Sequence, residues 1–245
     1  MNTESKTVVI TGASSGIGFA LAEAYLKRGD NVVGNARTLE RLKAAAERLG
    51  NPANFLLVEG DISEPATAKR LFERALQRFD KVDILINNAG IFIAKPFTSY
   101  SADEVEALVN TNLKGFFYPS QVAAAHMSAR KQGHIINITA SIASQPLGSV
   151  PAALPVLVKG GINQATKALA LELAAHNVKV NAVSPGIIDT PLYTQDMHAF
   201  LETLQPVGRI GTTQDIVDAV LYLSGSGFTT GIVLPVDGGM SSGKW

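Results

Sequence analysis

Cysteine is absent from the 245-residue chain, which excludes disulfides and thiolate metal sites. An excess of charge is also lacking, because 21 Lys and Arg residues balance 21 Asp and Glu residues. The chain therefore has no net field that attracts nucleic acid or acidic lipid. No apolar run reaches the roughly 18 residues that a membrane helix needs, and the polar first residues contain no apolar signal core. The four histidines show no metal-ligand spacing. These absences favour a cytoplasmic protein without a metal, nucleic acid or membrane partner.

Hydrophobic residues make up 46% of the chain, enough to bury a large core. Short, almost wholly apolar runs alternate with amphipathic helical stretches, a pattern typical of strands that helices cover on both faces. We predict strands at 7–10, 31–36, 55–59, 82–87, 134–139, 178–184 and 232–236, and helices at 17–28, 39–49, 64–79, 102–130, 156–175 and 214–223. The pattern predicts an α/β fold of the Rossmann type: a doubly wound parallel sheet of about seven strands, in one dinucleotide-binding domain spanning 1–245.

A glycine-rich turn follows the first predicted strand, where residues 11–18 read Thr-Gly-Ala-Ser-Ser-Gly-Ile-Gly. Glycines at such a turn permit tight bending, let backbone amides approach a pyrophosphate, and let the next helix pack closely on the strand. A purely structural turn also needs glycine, and the spacing is G-x-x-x-G-x-G rather than G-x-G-x-x-G. We interpret the turn as a phosphate loop, with Gly12, Ser14, Ser15, Gly16, Ile17 and Gly18 as candidate cofactor contacts.

The end of the second predicted strand discriminates between the two nicotinamide dinucleotides. An acidic residue there would bind the adenosine ribose 2′-hydroxyl and repel a 2′-phosphate. This strand ends Gly34-Asn35-Ala36 and is followed by Arg37, whose guanidinium suits a phosphate through charge-assisted hydrogen bonds. The sequence favours NADP(H), with NAD(H) as the alternative. The competing interpretation of Arg37 is a solvated arginine at the start of a helix.

Further motifs occur in order along the chain: Asn87-Asn88-Ala89-Gly90 after the fourth strand, Pro185-Gly186 after the sixth, and Val236-Asp237-Gly238-Gly239 near the C-terminus. With the glycine-rich turn, they make the chain resemble the classical short-chain dehydrogenase/reductase family nearly end to end. The resemblance implies that Asp61 contacts the adenine ring and that Lys159 binds the nicotinamide ribose. It also implies further cofactor contacts from Asn88, Ala89 and Gly90 on the adenosine side, and from Pro185, Gly186, Ile188 and Thr190 beside the nicotinamide.

Three residues match catalytic positions of that family. The resemblance implies that Asn112 holds a water of the proton relay, that Ser141 hydrogen-bonds the substrate oxygen, and that Lys159 lowers the pKa of a neighbouring tyrosine. Each residue also has a plain structural interpretation: Asn112 caps or bends its helix, Ser141 satisfies a loop amide, and Lys159 is a solvated helix residue. Their joint occurrence at family spacing favours the functional interpretation.

The family tyrosine is missing. It would stand four residues before Lys159 or thirteen after Ser141, and those positions hold Pro155 and Leu154. Neither side chain has a proton to donate, and the mismatch of one position indicates a rebuilt loop. Proline is tolerated at this point because it fits the first turn of a helix.

Three interpretations of the missing acid stay open. In the first, another group supplies the proton: Tyr193 is the nearest candidate, with Ser141 or a Lys159-bound water behind it. In the second, the substrate is an activated C=C or C=N that needs less acid help. In the third, the protein is a cofactor-binding pseudo-enzyme that acts as a sensor or partner subunit. Retention of Asn112, Ser141 and Lys159 favours an atypical NADP(H)-dependent oxidoreductase acting on a small-molecule carbonyl or alcohol, or on such an activated bond. We interpret Tyr193 as a lid aromatic within a substrate-covering segment at about 189–207.

The alanine- and leucine-rich helices at 102–130 and 156–175 predict a homotetramer or a homodimer.

Overall fold

The computed structural model describes residues 5–243, which include seven strands and eight α-helices. The strands are β1 (Thr7–Thr11), β2 (Asn31–Ala36), β3 (Phe55–Glu59), β4 (Ile84–Asn87), β5 (Gly133–Ile138), β6 (Val178–Pro185) and β7 (Val233–Val236). The helices are α1 (Gly16–Lys27), α2 (Leu39–Arg48), α3 (Pro65–Phe79), α4 (Ala102–Leu108), α5 (Gly115–Arg130), α6 (Ala153–Leu173), α7 (His198–Glu202) and α8 (Thr213–Gly225).

All seven strands form one parallel sheet in the order β3-β2-β1-β4-β5-β6-β7. Consecutive residues of β1 face opposite sides of this sheet, since Val8 and Ile10 belong to one core cluster and Val9 to the other. Helices cover both faces, and the predicted doubly wound α/β fold is confirmed. Within residues 5–243, no helix is long and apolar enough to cross a membrane.

The predicted helix at 102–130 is not one regular α-helix. A π-helical segment, Val109–Lys114, separates α4 from α5, with Asn112 buried in its middle. The periodicity of the apolar residues does not reveal this change in winding. Helix α7 was also not predicted, because it is only five residues long.

Helix α6 begins three residues earlier than predicted, so that Pro155 lies inside its first turn. The first hydrogen bond of this helix runs from the Val156 N–H to the Ala152 carbonyl at 2.9 Å. Backbone N–H groups in the first turn have no intrahelical acceptor, so a proline at this position breaks no helical hydrogen bond.

Candidate active site

The carboxyl edge of the sheet carries a cavity of about 550 Å³ beside the point where β1 and β4 lie next to each other. From β1 the chain winds towards β3, and from β4 it winds towards β7. Open α/β sheets bind ligands at such a switch in strand order. The cavity wall takes residues from the loops after β1, β4, β5 and β6.

The phosphate loop joins β1 to α1 in a conformation that favours glycine. Gly12 and Gly16 have φ values of +67° and +54°. A Cβ on Gly18 would lie 2.2 Å from the Gly12 carbonyl oxygen, so the helix start packs directly on the turn. Ser15, the N-cap of α1, makes no side-chain capping bond. The first N–H groups of α1 lack intrahelical acceptors, as at any helix start, and they favour an anion at this end.

Thr11 and Asn88 tie the end of β1 to the end of β4. The Thr11 hydroxyl accepts hydrogen bonds from the backbone N–H groups of Asn88 at 3.0 Å and Ala89 at 2.9 Å. In return the Asn88 side-chain amide donates to the Thr11 carbonyl at 2.9 Å and to the Gly12 carbonyl at 3.3 Å. These four hydrogen bonds join the glycine-rich turn after β1 to the Asn87–Gly90 motif after β4.

Arg37 is exposed directly after β2. The phosphate loop is attached to this strand end, because the Ala13 N–H donates to the Asn35 carbonyl at 3.0 Å. Asn35 uses its own side-chain amide to bind the Val58 and Gly60 carbonyls at 3.1 and 3.0 Å. Arg37 is therefore free to reach a ligand that lies along the loop.

Asp61 is exposed beyond β3, and its carboxylate accepts the Ser63 N–H at 2.9 Å in a local turn. This turn fixes the carboxylate at the same edge of the sheet as Arg37. Arg37 and Asp61, which follow β2 and β3, lie on an open surface. The residues that follow β4, β5 and β6 enclose the cavity.

Asn112 binds the backbone of Ile91 in both directions. Its side-chain oxygen accepts the Ile91 N–H at 3.0 Å, and its amide nitrogen donates to the Ile91 carbonyl at 3.0 Å. A Cβ on the preceding Gly90 would lie 2.7 Å from the Asn112 side-chain oxygen and 3.2 Å from Lys159 Nζ. Gly90 thus lets Asn112 and Lys159 approach the same point of the chain.

Lys159 projects from α6 into the cavity and donates a hydrogen bond from Nζ to the Ile138 carbonyl at 2.9 Å. Within residues 5–243, no carboxylate pairs with this ammonium. Removal from water, which disfavours the charged form, lowers the pKa of Lys159 from 10.5 to about 8.

Ser141 is buried in a short 3₁₀ turn, Ser141–Ala143, on the cavity wall after β5. Its hydroxyl lies 3.4 Å from the thioether sulfur of Met240, a weak acceptor from the C-terminal segment. The stronger hydrogen-bonding capacity of Ser141 remains for a ligand in the cavity. No local sequence signal pairs Met240 with this serine, because 99 residues separate them.

The turn before Lys159 contributes nothing to the cavity wall. Leu154 packs on Leu108 and Phe116 in a separate apolar cluster, and Pro155 is buried in α6. Ser149, Val150 and Pro151 of the preceding loop form the wall instead.

The segment at 189–207 forms the outer wall with Leu192, Tyr193, Met197, Phe200, Leu201 and Leu204. The segment rests on the phosphate loop, since a Cβ on Gly16 would lie 3.5 Å from the Thr190 side chain. A contact between the Asp189 carboxylate and His198 Nε2, 3.5 Å apart, links its start to α7. Burial raises the pKa of Tyr193 above its ordinary value of 10.

The structure brings together about half of the predicted site residues on the cavity wall. Those that line it are Ile17, Asn88, Gly90, Ser141, Lys159, Pro185, Gly186, Ile188 and Thr190. Those that lie beneath or beside it are Gly12, Ser14, Ser15, Gly16, Gly18, Arg37, Asp61, Ala89 and Asn112. Sequence reasoning missed several apolar wall residues, namely Phe92, Ile142, Leu147, Val150 and Met240, because an apolar loop residue carries no periodic pattern.

Comparison with known proteins gives a consistent picture. Residues 6–199 match the short chain dehydrogenase family. The chain is 33% identical over 245 residues to the 3-oxoacyl-(acyl-carrier-protein) reductase FabG of Escherichia coli, with 98% of this chain and 99% of that protein covered.

Solved structures show the same architecture. The protein ElxO with NADP bound superimposes with a TM-score of 0.92 at 28% identity, covering 98% of this chain and 100% of that one. A tyrosine-to-phenylalanine variant of ElxO, with NADPH bound, matches equally well. A 3-ketoacyl-(acyl-carrier-protein) reductase from Brucella melitensis, complexed with NADH, gives a TM-score of 0.91 at 32% identity, with 97% and 99% of the two chains covered. The chain therefore belongs to the short-chain dehydrogenase/reductase family and is an oxidoreductase of that type.

Proposed function

We propose that this protein is an NADP(H)-dependent oxidoreductase that transfers a hydride to or from a small carbonyl or alcohol, or to an activated C=C or C=N bond. One observation carries the proposal. A single cavity is lined by Asn88 and Gly90 beside the phosphate loop, by Ser141 from the turn after β5, and by Lys159 from α6. A nicotinamide and a substrate both fit at one place, within reach of the same lysine.

The residues at the carboxyl edge fit a dinucleotide phosphate. The N–H groups at the start of α1 face the turn, and the positive φ values of Gly12 and Gly16 keep side chains out of it. The cofactor, when bound, supplies or accepts the hydride. In this proposal Ser14 to Gly18 bind the pyrophosphate, and Arg37 binds the 2′-phosphate. Asp61 and Asn88 to Gly90 contact the adenosine half, Lys159 the ribose, and Pro185, Gly186, Ile188 and Thr190 the nicotinamide.

The choice of NADP(H) over NAD(H) rests on Arg37. ElxO was solved with NADP and the Brucella reductase with NADH, so this fold accommodates both dinucleotides. In this chain the exposed Arg37, next to a strand end without a carboxylate, supports the phosphorylated form.

The active site is atypical in this proposal because Pro155 stands at the place of the family tyrosine. Leu154 and Pro155 are buried away from the cavity. Their burial supports a rebuilt loop in which neither position supplies the group that the family tyrosine would supply. Cofactor binding does not depend on that phenol, since its contacts come from other residues. The ElxO variant that lacks a tyrosine hydroxyl carries NADPH, which agrees with this separation.

The substrate is small, neutral and largely apolar in this proposal. Among the described residues that line the cavity, Lys159 alone is charged at neutral pH. The outer wall, from the segment at 189–207, is almost wholly hydrophobic and covers the substrate. Ser141 is placed to hydrogen-bond the substrate oxygen, and Asn112 acts indirectly by fixing the backbone at Gly90 and Ile91.

We further propose a cytoplasmic homotetramer, or failing that a homodimer. Helices α5 and α6 expose Phe117, Leu157 and Leu171, with 52%, 69% and 82% of their surfaces accessible. A second copy of the chain would cover such a surface. Light scattering at micromolar concentration tests this, and a monomeric mass would contradict it.

The decisive experiment measures NADPH binding by fluorescence and NADPH consumption with phenanthrenequinone, ethyl acetoacetate, cyclohexenone and pyrroline. We expect binding, and turnover of at least one activated substrate. The variant Pro155→Tyr should increase turnover of ethyl acetoacetate if a phenol at this place reaches the cavity. Binding without turnover of any member of a wider panel would instead indicate a cofactor-binding sensor or partner subunit. Absence of NADPH binding would refute the proposal.

A further inference from the structure

We propose that Lys159 is the general acid of this active site and donates a proton from its ammonium group directly to the substrate oxygen during reduction. The inference deepens the function proposed above and rests on it. It assigns to the lysine a step that a tyrosine would otherwise perform.

The geometry gives Lys159 direct access to a substrate. Its side chain lines the same cavity as Ser141, the residue that the proposal assigns to the substrate oxygen. One N–H of the ammonium is used by the Ile138 carbonyl at 2.9 Å, which leaves two for other acceptors. The residues one turn earlier, Leu154 and Pro155, do not shield it, because both pack into the protein interior.

Among the described residues, the groups placed around this ammonium are uncharged. The Ile138 carbonyl from β5 accepts its hydrogen bond, the Asn112 side-chain oxygen from the π-helical segment approaches the same point of Gly90, and Ser141 and Tyr193 line the same cavity. Burial without a counter-ion is the cause that lowers the pKa of Lys159 to about 8. An acid with a pKa near the working pH is mostly protonated and yet releases its proton readily, which is the favourable condition for general acid catalysis.

The other candidates on the wall are weaker donors. Burial raises the pKa of the Tyr193 phenol above 10, which makes it a poorer acid than an ordinary tyrosine. Ser141 has an aliphatic hydroxyl, which suits it to orient the oxygen rather than to lose its proton.

For a ketone, the hydride that a bound NADPH would supply adds to the carbonyl carbon and the C=O bonding pair moves to the oxygen. One N–H bond of Lys159 breaks and an O–H bond forms. The products would be an alcohol, NADP⁺ and a neutral lysine amine. Solvent then protonates the amine through the mouth of the cavity, where Ser149 and Leu192 are exposed. In the oxidation direction the neutral amine accepts the alcohol proton.

The variant Lys159→Arg separates this role from cofactor binding. Arginine keeps the positive charge that a ribose contact uses, but its guanidinium does not release a proton near neutral pH. We expect the NADPH dissociation constant to stay within about threefold, and kcat for ethyl acetoacetate or phenanthrenequinone to fall by about 10²-fold or more. Lys167→Arg, on the exposed side of α6, is the matched control and should change neither value.

Two further measurements keep the test decisive if arginine disturbs the fold or the cofactor site. Lys159→Ala should recover activity in proportion to added methylammonium, because the small amine replaces the missing donor. In the NADPH-free protein, NMR of labelled lysine side chains should show Lys159 titrating with a midpoint near 8.

The inference is overturned by unchanged kcat in Lys159→Arg, by failure of methylammonium to rescue Lys159→Ala, or by a Lys159 midpoint at the ordinary lysine value. It is also overturned if Tyr193→Phe lowers kcat by about 10²-fold, since a lid aromatic should mainly affect KM. Failure of the wild type to bind or consume NADPH is a different result, and it refutes the proposed function itself.

Discussion

The buried charge of Lys159 should make the cofactor-free protein less stable at neutral pH than at mildly alkaline pH. In the unfolded chain this lysine has its ordinary pKa of 10.5, and in the fold burial lowers the pKa to about 8. Between these two pH values the unfolded state binds more protons than the folded state. Unfolding free energy therefore rises with pH across this window. Most lysines with an ionic partner show the opposite sign.

The magnitude follows from the shift. One pKa unit corresponds to about 1.4 kcal/mol, so the wild type should gain about 1.4 kcal/mol between pH 7 and pH 9, and about 2.5 kcal/mol by pH 10. The variant Lys159→Met lacks the titrating group and should lack this gain. Whatever the methionine does to packing, or to the Ile138 carbonyl that loses its donor, is independent of pH and cancels from the slope.

The assay is urea unfolding of NADPH-free wild type and Lys159→Met at pH 7, 8 and 9, at equal protein concentration. Lys167→Met is the control, because Lys167 is exposed on the same helix. Tyr25, whose pKa burial raises to about 12, titrates in both proteins and cancels. Parallel pH profiles for wild type and Lys159→Met would refute the reasoning, since they would mean that this ammonium is as well solvated in the fold as in the unfolded chain.

Three other outcomes test separate parts of the structure. Arg37→Ala should weaken NADPH binding and leave NADH binding almost unchanged; an unaltered ratio of the two dissociation constants in fluorescence titrations would contradict the assignment of this residue. Gly18→Ala places a Cβ 2.2 Å from the Gly12 carbonyl oxygen and should cost about 1–3 kcal/mol of stability together with NADPH affinity. Gly161→Ala, inside α6 and with no atom within 4 Å of the added Cβ, is the control and should stabilise the protein by up to about 1 kcal/mol without changing NADPH affinity. Burial lowers the pKa of His134 from 6.5 to about 3. The free energy of unfolding should therefore keep this group's full contribution above pH 6.5 and fall by up to about 1.4 kcal/mol per pH unit below it. In acid unfolding, His134→Gln should lack this pH-dependent loss of stability that the wild type shows.

The fold was predictable from the sequence because each strand is a short apolar run between recognisable turns. Strands β2 and β3 begin and end as predicted: Val32 and Val33 form the apolar centre of β2, and four apolar residues, Phe55 to Val58, open β3. The phosphate loop was predictable for a similar reason, because the backbone conformations of Gly12 and Gly16 strongly favour glycine.

The rest depends on contacts between distant parts of the chain. The approach of Met240 to Ser141 and the packing of Thr190 on the phosphate loop are tertiary contacts that leave no local pattern. The inward turn of Leu154 and Pro155, away from the cavity, follows from how the loop before α6 folds back. The sequence indicates that a proton donor is missing, but not which group faces the substrate in its place.

The π-helical segment between α4 and α5 sets the rotational phase of the whole helical run. Each residue of an α-helix advances the chain by about 100° around its axis, so removing one residue from Val109–Lys114 would allow regular winding but turn α4 by about that angle relative to α5. Helix α4 packs on α6 while α5 packs on α3 and the sheet, and the present offset accommodates both contacts. A shortened, regular helix would also carry Asn112 away from Ile91. With this wide turn, one helical run packs on both α6 and α3 and still places the Asn112 amide against Ile91, beyond the end of β4.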